Sequence, residues 1–442
     1  ELQIPIFLYE HSAKSKDRTN LADIRAGEFE GMGEKIKLPE WKPDFGPSIQ
    51  HETAGTTAIG ARQFLIAYNI NLNSMDKKIA TDIALDIREK GRFKRDENKK
   101  VIRGEDGKIL RVPGKLKACK AVGWYIDEYK QAQISMNLVD FTVTPPHIAF
   151  EECRAQARKR GVRVTGSELV GLIPLESILE IGNFYLNEQQ RSQGVPENEI
   201  INIAVKSLGL DEIAGFDPKE KIIEYQINPE FGELASITIF GFANELSTDS
   251  PAPGGGSVSA LIGSMGAALS AMVANLSIGK KGFEDKYKMM NDLSVKSQHL
   301  KKNLLQLIDK DTDSFNDVMA AFRLPKKTDE QKTARHNSIQ DATKNATMIP
   351  FNILEDCISG LELALLVAQE GNPNSITDAG VAGESLIAGA RGAFLNVKIN
   401  LKDIEDEKFI QDLTDKGNNL ISDGESKLAK IRNQVDFVLS QD

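Results

Sequence analysis

The chain has 442 residues, of which 40% are hydrophobic and 27% are charged, and its formal net charge is −9. This length predicts two or three domains, the composition is that of ordinary soluble proteins, and the negative charge argues against a general nucleic-acid binder. No uninterrupted apolar run predicts a membrane span, and no signal peptide is visible. The three cysteines, Cys119, Cys153 and Cys357, lack metal-ligand spacing, so we expect no bound metal and a reducing, cytoplasmic location.

Strand and helix patterns alternate through the first half of the chain. Their β-β-α-β order predicts an α/β front domain with a ferredoxin-like split βαβ sheet and helices on one face. The predicted strands are 4–8, 64–72, 122–126, 132–138, 141–143 and part of 161–174, and the predicted helices are 21–30, 79–90, 148–160 and 175–188.

Residues 88–120 form a basic stretch, with 13 basic against five acidic residues and a net charge of +8. Such a patch within an acidic protein predicts an anionic partner. The alternative is a solvated loop, because GEDGK in its middle is typical of a hairpin turn. The residues themselves leave both interpretations open.

After Pro229 the strand patterns end, and helical patterns follow one another to the end of the chain. We therefore expect a short linker over 228–237 and an all-α domain over 238–442. The predicted helices of this domain are 240–246, 258–276, 287–308, 311–322, 328–348, 351–369 and 405–439.

The stretch SPAPGGGSVSA at 250–260 predicts the start of a helix built from small residues. Pro251 and Pro253 end the preceding helix, three glycines allow backbone conformations closed to other residues, and Ser257 is the predicted N-cap. The free N–H groups of such a helix start suit a carboxylate or an oxyanion. The alternative is a tight turn followed by a packing helix, with no ligand.

Several motifs occur in one order along the whole chain. They are DFGPS at 44–48, GTTAIGARQFLIAYNINL at 55–72, VGWYIDE at 122–128, AQISMNLVDF at 132–141, GSELVGLIPL at 166–175, KIIEY at 221–225, SPAPGGGSVSA at 250–260, AFRLPK at 321–326 and FLNVKINLKDI at 394–404. Together they resemble formimidoyltransferase-cyclodeaminase. The resemblance implies that 1–62 is the remainder of a transferase N-subdomain, 63–227 the transferase C-subdomain and 238–442 the cyclodeaminase domain.

The resemblance implies a bifunctional folate enzyme of histidine degradation. The front domain would transfer the formimino group of N-formimino-L-glutamate to tetrahydrofolate, and the back domain would form 5,10-methenyltetrahydrofolate with release of ammonia. The co-substrate would be polyglutamylated tetrahydrofolate, with its glutamate tail on the basic stretch, and the chain would form dimers assembled into a ring. The alternatives are a non-catalytic folate-binding oligomeric scaffold and a cyclodeaminase fused to an inactive transferase remnant.

The family's motifs also imply site residues. Its DxxxF pattern falls on Asp311, which would be the catalytic acid of the cyclodeaminase. The family's transferase histidine lies upstream of this sequence, so we expect the N-terminal part of the transferase domain to be missing. The expected folate-binding residues are Gly46, Pro47, Ser48, Ile49, Gln50, His51, Glu52, Thr53, Ala54, Gly55, Arg88, Gly254, Gly255, Gly256 and Ser257.

Three aspartates, Asp309, Asp311 and Asp313, are spaced two residues apart on a predicted helix, so neighbours point to different sides. If Asp311 faces inward with Ile308 and Phe315, we expect Asp309 and Asp313 to face solvent. One carboxyl in a dry pocket suffices for ring closure, because it can take a proton from N10 and give a proton to the departing ammonia.

Overall fold

The computed structural model describes residues 2–213, 215–227 and 232–441, so residues 228–231 of the predicted linker lie outside the described residues. The chain forms two compact units, Glu1–Val170 and Gly171–Asp442. Residues 171–227 thus belong to the helical unit, whereas the motifs assign them to the transferase part. Their attachment is polar: Ser192 Oγ lies 2.7 Å from Ser294 Oγ, and both side chains are buried.

The first unit begins with a small sheet. Its strands β1 and β2 are parallel, with Ile6 opposite Thr57, and they enclose a core of Phe7, Ile24 and Met32. The elements of the unit, in chain order, are β1 (Ile6–Glu10), α1 (Leu21–Ile24), α2 (Glu28–Lys35), β2 (Thr57–Ala61), β3 (Ile66–Leu72), α3 (Lys77–Ile87), β4 (Arg92–Phe93), β5 (Arg111–Val112), β6 (Cys119–Ile126), β7 (Gln131–Leu138), α4 (Pro146–Lys159) and β8 (Val164–Val170).

The main sheet of this unit has the strand order β6-β7-β3-β8, and all its neighbours are antiparallel. In chain order, α3 follows β3 and α4 follows β7, which is the predicted ferredoxin-like arrangement. Both helices pack on one face, where β3 presents Ile66, Tyr68 and Ile70. Gly123 of β6 allows α3 to approach closely, since a Cβ there would lie 2.1 Å from the backbone nitrogen of Thr81.

The other face of this sheet is polar. Directly opposite residues share a face, so Val122, Ser135, Asn69 and Glu168 form one row across the four strands. Asn69 is buried, and its Nδ2 donates to Glu168 Oε2 at 3.1 Å. Such buried amides must be paired, and this pairing keeps the polar face ordered.

The basic stretch forms a hairpin. Strands β4 and β5 pair antiparallel at its base, and the chain between them makes two further local pairings, the bridges of Arg95 with Val101 and of Arg103 with Ile109. Lys94, Lys99 and Lys100 are exposed towards the far end of this hairpin.

The second unit is helical from end to end. Its helices are α5 (Leu175–Glu188), α6 (Glu197–Leu208), α7 (Pro218–Lys221), α8 (Ile223–Ile227), α9 (Glu233–Ser236), α10 (Ile239–Leu246), α11 (Gly255–Ser277), α12 (Tyr287–Phe322), α13 (Asp329–Glu370), α14 (Ile376–Asn400) and α15 (Glu407–Leu439).

Helix α11 lies at the centre of this unit and packs against α12, α13 and α14. Its small residues make this possible: a Cβ on Gly263 would lie 2.5 Å from Cys357 Sγ. By length and composition α11 could cross a membrane, which corrects the expectation that no apolar run is long enough. The helix is mostly buried in the unit, and core helices pass the same test.

Several predicted elements are wrong in extent. Residues 141–143 are a turn rather than a strand, because the Asp140 carboxylate accepts the backbone N–H of Thr142 at 3.0 Å. The helix predicted over 21–30 is divided into α1 and α2 at Gly27, whose φ is +94°. Helix α14, absent from the predicted set, carries four glycines that lower helix propensity. Gly389 and Gly392 allow close approach to α11, whereas Gly380 and Gly383 allow close approach to α15.

Helices α12 and α13 are each continuous where two helices are predicted. In α13 the interruption is predicted at Pro350, which removes one backbone donor and frees the carbonyl of Ala346. That carbonyl accepts from Asn400 Nδ2 at 3.0 Å, so the helix continues through the proline with its backbone satisfied.

Candidate active site

Asp311 lies on α12 beside the first turn of α11. Its Oδ2 lies 3.0 Å from Ser257 Oγ. Burial raises the pKa of Asp311 above its ordinary value, while hydrogen bonds from the hydroxyl and the backbone N–H of Ser257 partly oppose that shift. The first turn of α11 therefore binds a carboxylate of the protein itself. That carboxylate accepts the backbone N–H of Ser257, one of the N–H groups that we predicted to bind a ligand.

The glycines before Ser257 are needed for space. Helix α11 begins with Gly254 as N-cap, so the prediction of Ser257 as N-cap is wrong. Gly254 has extended backbone, and Gly255 and Gly256 begin the helix without positive φ, so the predicted conformational reason is also wrong. A Cβ on Gly256 would lie 2.1 Å from Asp311 Oδ1, whereas one on Gly255 would lie 3.0 Å from Asn396 Nδ2.

Ser257 can serve Asp311 in either protonation state. Its buried hydroxyl lies 3.2 Å from the Ile308 carbonyl as well as 3.0 Å from Asp311 Oδ2. When the carboxyl is ionised, the single hydroxyl proton can point at Oδ2. When the carboxyl is protonated, it can donate to Ser257 Oγ, whose own proton then points at the carbonyl.

The two flanking aspartates differ from each other. Asp313 is exposed, as predicted, but Asp309 is half-buried and accepts the backbone N–H groups of Leu234 and Ala235. The expectation that Asp309 faces solvent is therefore wrong, because the chain before α10 returns to cover it. Ile308 is buried, in agreement with the predicted inward face.

Asn396 on α14 is a polar neighbour of this site that sequence reasoning missed. Its Nδ2 lies 3.0 Å from the position that a Cβ on Gly255 would take, and it donates to the Gly392 carbonyl at 2.9 Å. The motif FLNVKINLKDI contains it, but nothing in the sequence indicates that α14 passes beside the start of α11.

In the first unit, Arg88 lines a cavity of about 400 Å³ against β6 and β7. Burial and the neighbouring Arg111 lower the pKa of Arg88, which remains a cation. Glu89, the one acid of this lining, accepts the backbone N–H of Ala118 at 3.0 Å. The cavity is therefore suited to anions. Its lining residues are Asn20, Ala22, Arg88, Glu89, Lys90, Arg111, Cys119, Lys120, Ala121, Val122, Ser135, Met136, Asn137 and Val139.

The predicted folate-binding segment 46–55 lies elsewhere in this unit. Gln50, Ala54 and Gly55 line a separate cavity of about 280 Å³, which does not include Arg88. His51 Nδ1 accepts the backbone N–H of Ala54 at 3.1 Å, so this nitrogen stabilises the turn that ends at Gly55, where φ is +67°. The structure thus brings Asp311, the glycines and Ser257 together, whereas Arg88 and the residues of segment 46–55 line two cavities, each of which also includes residues of 20–24. Among the described residues, no group of three His, Cys, Asp or Glu side chains could hold a metal ion.

Family models match the chain in three consecutive parts. The N-terminal subdomain of the formiminotransferase domain matches residues 1–62, the formiminotransferase domain matches 67–228, and formiminotransferase-cyclodeaminase matches 238–419. The formimidoyltransferase-cyclodeaminase of Mus musculus is 39% identical over 435 residues, which are 98% of this chain and 77% of the mouse protein. The chain belongs to the formimidoyltransferase-cyclodeaminase family.

Two other relatives are similar to part of the chain. The glutamate formimidoyltransferase of Streptococcus pyogenes serotype M1 is 41% identical over 42% of this chain and 55% of that protein. The methenyltetrahydrofolate cyclohydrolase of Methylorubrum extorquens is 43% identical over 40% of this chain and 84% of that protein.

Membership of the formimidoyltransferase-cyclodeaminase family confirms the resemblance carried by the motifs. It makes the chain a bifunctional folate enzyme of the transferase and lyase classes. The matched ranges put Arg88 in the transferase part, and Gly254, Ser257 and Asp311 in the cyclodeaminase part.

Proposed function

We propose that this chain transfers the formimino group of N-formimino-L-glutamate to tetrahydrofolate and then closes the ring to 5,10-methenyltetrahydrofolate with release of ammonia. The observation that carries the second reaction is the partly buried carboxyl of Asp311, which lies on α12 beside the first turn of α11 and has its pKa raised by burial. A carboxyl that reaches the substrate can act as general acid and base, and a raised pKa makes its protonated form more accessible.

Ring closure requires one proton to leave and another to be delivered. Starting from the protonated formimino group, C=NH₂⁺, N10 attacks the formimino carbon and Asp311 takes the N10 proton as base. The resulting carboxylic acid gives that proton to the departing NH₂ group, so that ammonia leaves and the cationic methenyl bridge forms. Burial favours the protonated form of Asp311 between these steps. The Ser257 hydroxyl can donate to the ionised carboxylate and accept from the protonated carboxyl. Asn396, whose side chain lies beside Gly255, is a candidate for orienting the substrate.

The cavity at Arg88 suits the carboxylates of the transferase substrates. N-formimino-L-glutamate carries two carboxylates, and each further γ-glutamate of a folate tail adds another. Arg88, Lys90, Arg111 and Lys120 provide positive charge along this cavity. The exposed hairpin beyond it extends the positive surface, which suits a polyglutamylated tail. A held tail keeps the reactive ring at an effective concentration in the millimolar range for a second site.

Self-association and location are part of the same proposal. Helix α14 exposes Val381, Leu395 and Ile399, and Ile239 and Phe240 of α10 are also exposed. Such apolar side chains on the helical unit suit contact with a second copy, in dimers that assemble into a ring. The predicted cytoplasmic location also stands as a proposal. Light scattering after size-exclusion chromatography tests the assembly.

Two assays on the full chain test the reactions. We expect ammonia release from 5-formiminotetrahydrofolate, and glutamate release from N-formimino-L-glutamate with tetrahydrofolate. Folate binding without either product would favour the non-catalytic scaffold. Ammonia release without glutamate release would favour the inactive transferase remnant.

A second candidate for the helical part is hydrolysis of 5,10-methenyltetrahydrofolate, because a relative of 43% identity is called a methenyltetrahydrofolate cyclohydrolase. In that reaction water is added to the same carbon from which the cyclodeaminase reaction expels ammonia. Comparing kcat/KM for 5-formiminotetrahydrofolate with that for 5,10-methenyltetrahydrofolate decides between them. We expect the formimino substrate to be preferred.

A further inference from the structure

The segment 232–257 begins and ends on the same turn of α12. At its start, the two carboxylate oxygens of Asp309 accept the N–H groups of Leu234 and Ala235, at 2.9 and 3.1 Å. At its end, Ser257 Oγ lies within hydrogen-bond distance of Asp311 and of the Ile308 carbonyl. We call 232–257 the anchored segment.

The Asp309 contact is closely fitted. A Cβ on Gly232 would lie 2.3 Å from Asp309 Oδ1, so the backbone of the anchored segment lies directly against this carboxylate. Leu234 and Ala235 also pack against the hydrophobic core of the helical unit. Two N–H donors to one ionised carboxylate form a strong, directional contact.

The anchored segment carries the glycines that fit against Asp311. Between its two ends lie α10, whose Phe242 is buried in the core, and the proline-rich turn at 250–253. If the Asp309 hydrogen bonds were lost, apolar packing of Leu234, Ala235 and Phe242 would still hold the segment, but its start would lose these two directional contacts. Loss of one end would therefore widen the range of positions open to Gly256.

We propose that Asp309 is a positioning residue for ring closure: by fixing the start of the anchored segment, it holds Gly256 and Ser257 against the carboxyl of Asp311. The proposal rests on the proposed role of Asp311. Asp309 itself acts only through the backbone, because both of its oxygens are already used by Leu234 and Ala235.

The test compares Asp309→Asn with Asp313→Asn in the full chain. Asparagine keeps one acceptor at position 309 but turns an NH₂ group towards the second backbone N–H, so the paired contact is lost. Asp313 is exposed and equally far along the helix from Asp311, which makes its substitution a matched control. Amide hydrogen exchange in peptides from 232–257 measures whether the hydrogen bonds to Asp309 persist, independently of activity.

We expect Asp309→Asn to increase exchange at 234 and 235 and to lower kcat for ammonia release by about 10–100-fold, as a small misplacement near a reacting group does. Asp313→Asn should change neither. The loss should be much smaller in a Ser257→Ala background, because both substitutions act on the position of Asp311.

Three outcomes would overturn the proposal: unchanged exchange at 232–257, unchanged kcat, or an equal loss in both backgrounds, which is the mark of a purely structural role. Ammonia release that survives Asp311→Asn would overturn the proposed catalysis and this proposal with it. The exchange measurement would still show whether Asp309 anchors the segment, so the two failures are distinguishable.

Discussion

The α carbon of Gly256 packs so closely against Asp311 that a methyl group at position 256 would lie 2.1 Å from Oδ1. The carboxylate would have to move to make room. We expect Gly256→Ala to lower ammonia release about 100-fold, because displacement of a catalytic group by about 1 Å has effects of this size. The melting temperature should change little, since alanine favours the helix by ~1 kcal/mol and offsets part of the strain.

Gly255→Ala is the matched control, assayed with the same substrate. Its added methyl group would meet Asn396 Nδ2 at 3.0 Å, the end of a side chain that can shift. We expect a clearly smaller loss of activity. Equal losses for the two variants would mean that the whole turn, rather than the contact with Asp311, is what the glycines protect.

Ser257→Ala should change the pH profile of the cyclodeaminase. The Ser257 hydroxyl lowers the pKa of Asp311 against the effect of burial, so its removal should raise that pKa further. If ionised Asp311 is the base, the acidic limb of kcat/KM moves to higher pH, so the loss of activity relative to the unaltered chain grows as the pH falls. Ser259→Ala, which loses only a bond to the Gly255 carbonyl, is the control. If the acidic limb did not move, the Ser257 hydroxyl would not be what lowers the pKa of the catalytic base.

Asp356 should reduce stability at neutral pH. Burial, with the nearby Glu355, raises its pKa to about 6 from the ordinary value of 3.8. The folded chain then binds this proton more tightly than the unfolded chain, so the contribution of Asp356 to stability falls as pH rises from about 4 to about 6. Because the side chain is partly solvated, we expect Asp356→Asn to raise Tm by only roughly 1–3 °C at pH 7.

The same substitution should have little effect on Tm near pH 4, where Asp356 is largely protonated in both states. Thermal unfolding at the two pH values, with exposed Asp313→Asn as control, checks the sign. A lower Tm at pH 7 would show that ionised Asp356 has a stabilising partner.

The basic hairpin gives a prediction about folate tails. We expect replacement of Lys94, Arg95, Lys99 and Lys100 by Gln to weaken binding of polyglutamylated folate roughly 10–100-fold at low salt. Each exposed cation contributes about 1 kcal/mol or less, and the effect should shrink as salt rises. Binding of the monoglutamate should hardly change.

Arg88→Gln provides the contrast, because Arg88 lines the cavity whereas the four hairpin residues do not. It should weaken binding of both ligands. If the hairpin variant lost equal affinity for both ligands, the hairpin would not recognise the tail.

The sequence predicted the architecture where local patterns decide it. The apolar strand 64–72 and its partners specify the ferredoxin-like sheet, and the small residues of α11 predict a central packing helix. The helix α14 could not be predicted this way, because its glycines lower helix propensity and are explained by close contacts with α11 and α15 in the folded chain. The break predicted near Pro350 is wrong for a similar reason. The carbonyl that the proline leaves unpaired accepts a hydrogen bond from Asn400, which lies 50 residues further along the chain.

The site was predictable in part for the same reason. Motifs named both Asp311 and Gly256, but the contact between them joins positions 55 residues apart, and only the folded chain reveals why glycine is required there. The contacts of Asp309 could not be predicted, because its partners are backbone N–H groups, which almost every residue type has. Segment 46–55 and Arg88 line different cavities, so their shared role in folate binding stays a prediction.

The most direct test is ammonia release from 5-formiminotetrahydrofolate by Asp311→Asn, measured beside Asp313→Asn and the unaltered chain. We predict that Asp311→Asn lowers kcat by about 10²–10⁴-fold, the usual contribution of a general acid–base group, with Tm at neutral pH unchanged or raised because a disfavoured buried charge is removed. Asp313→Asn should remain fully active. Near-normal ammonia release by a folded Asp311→Asn protein would contradict the assignment of Asp311 as the acid and base of ring closure.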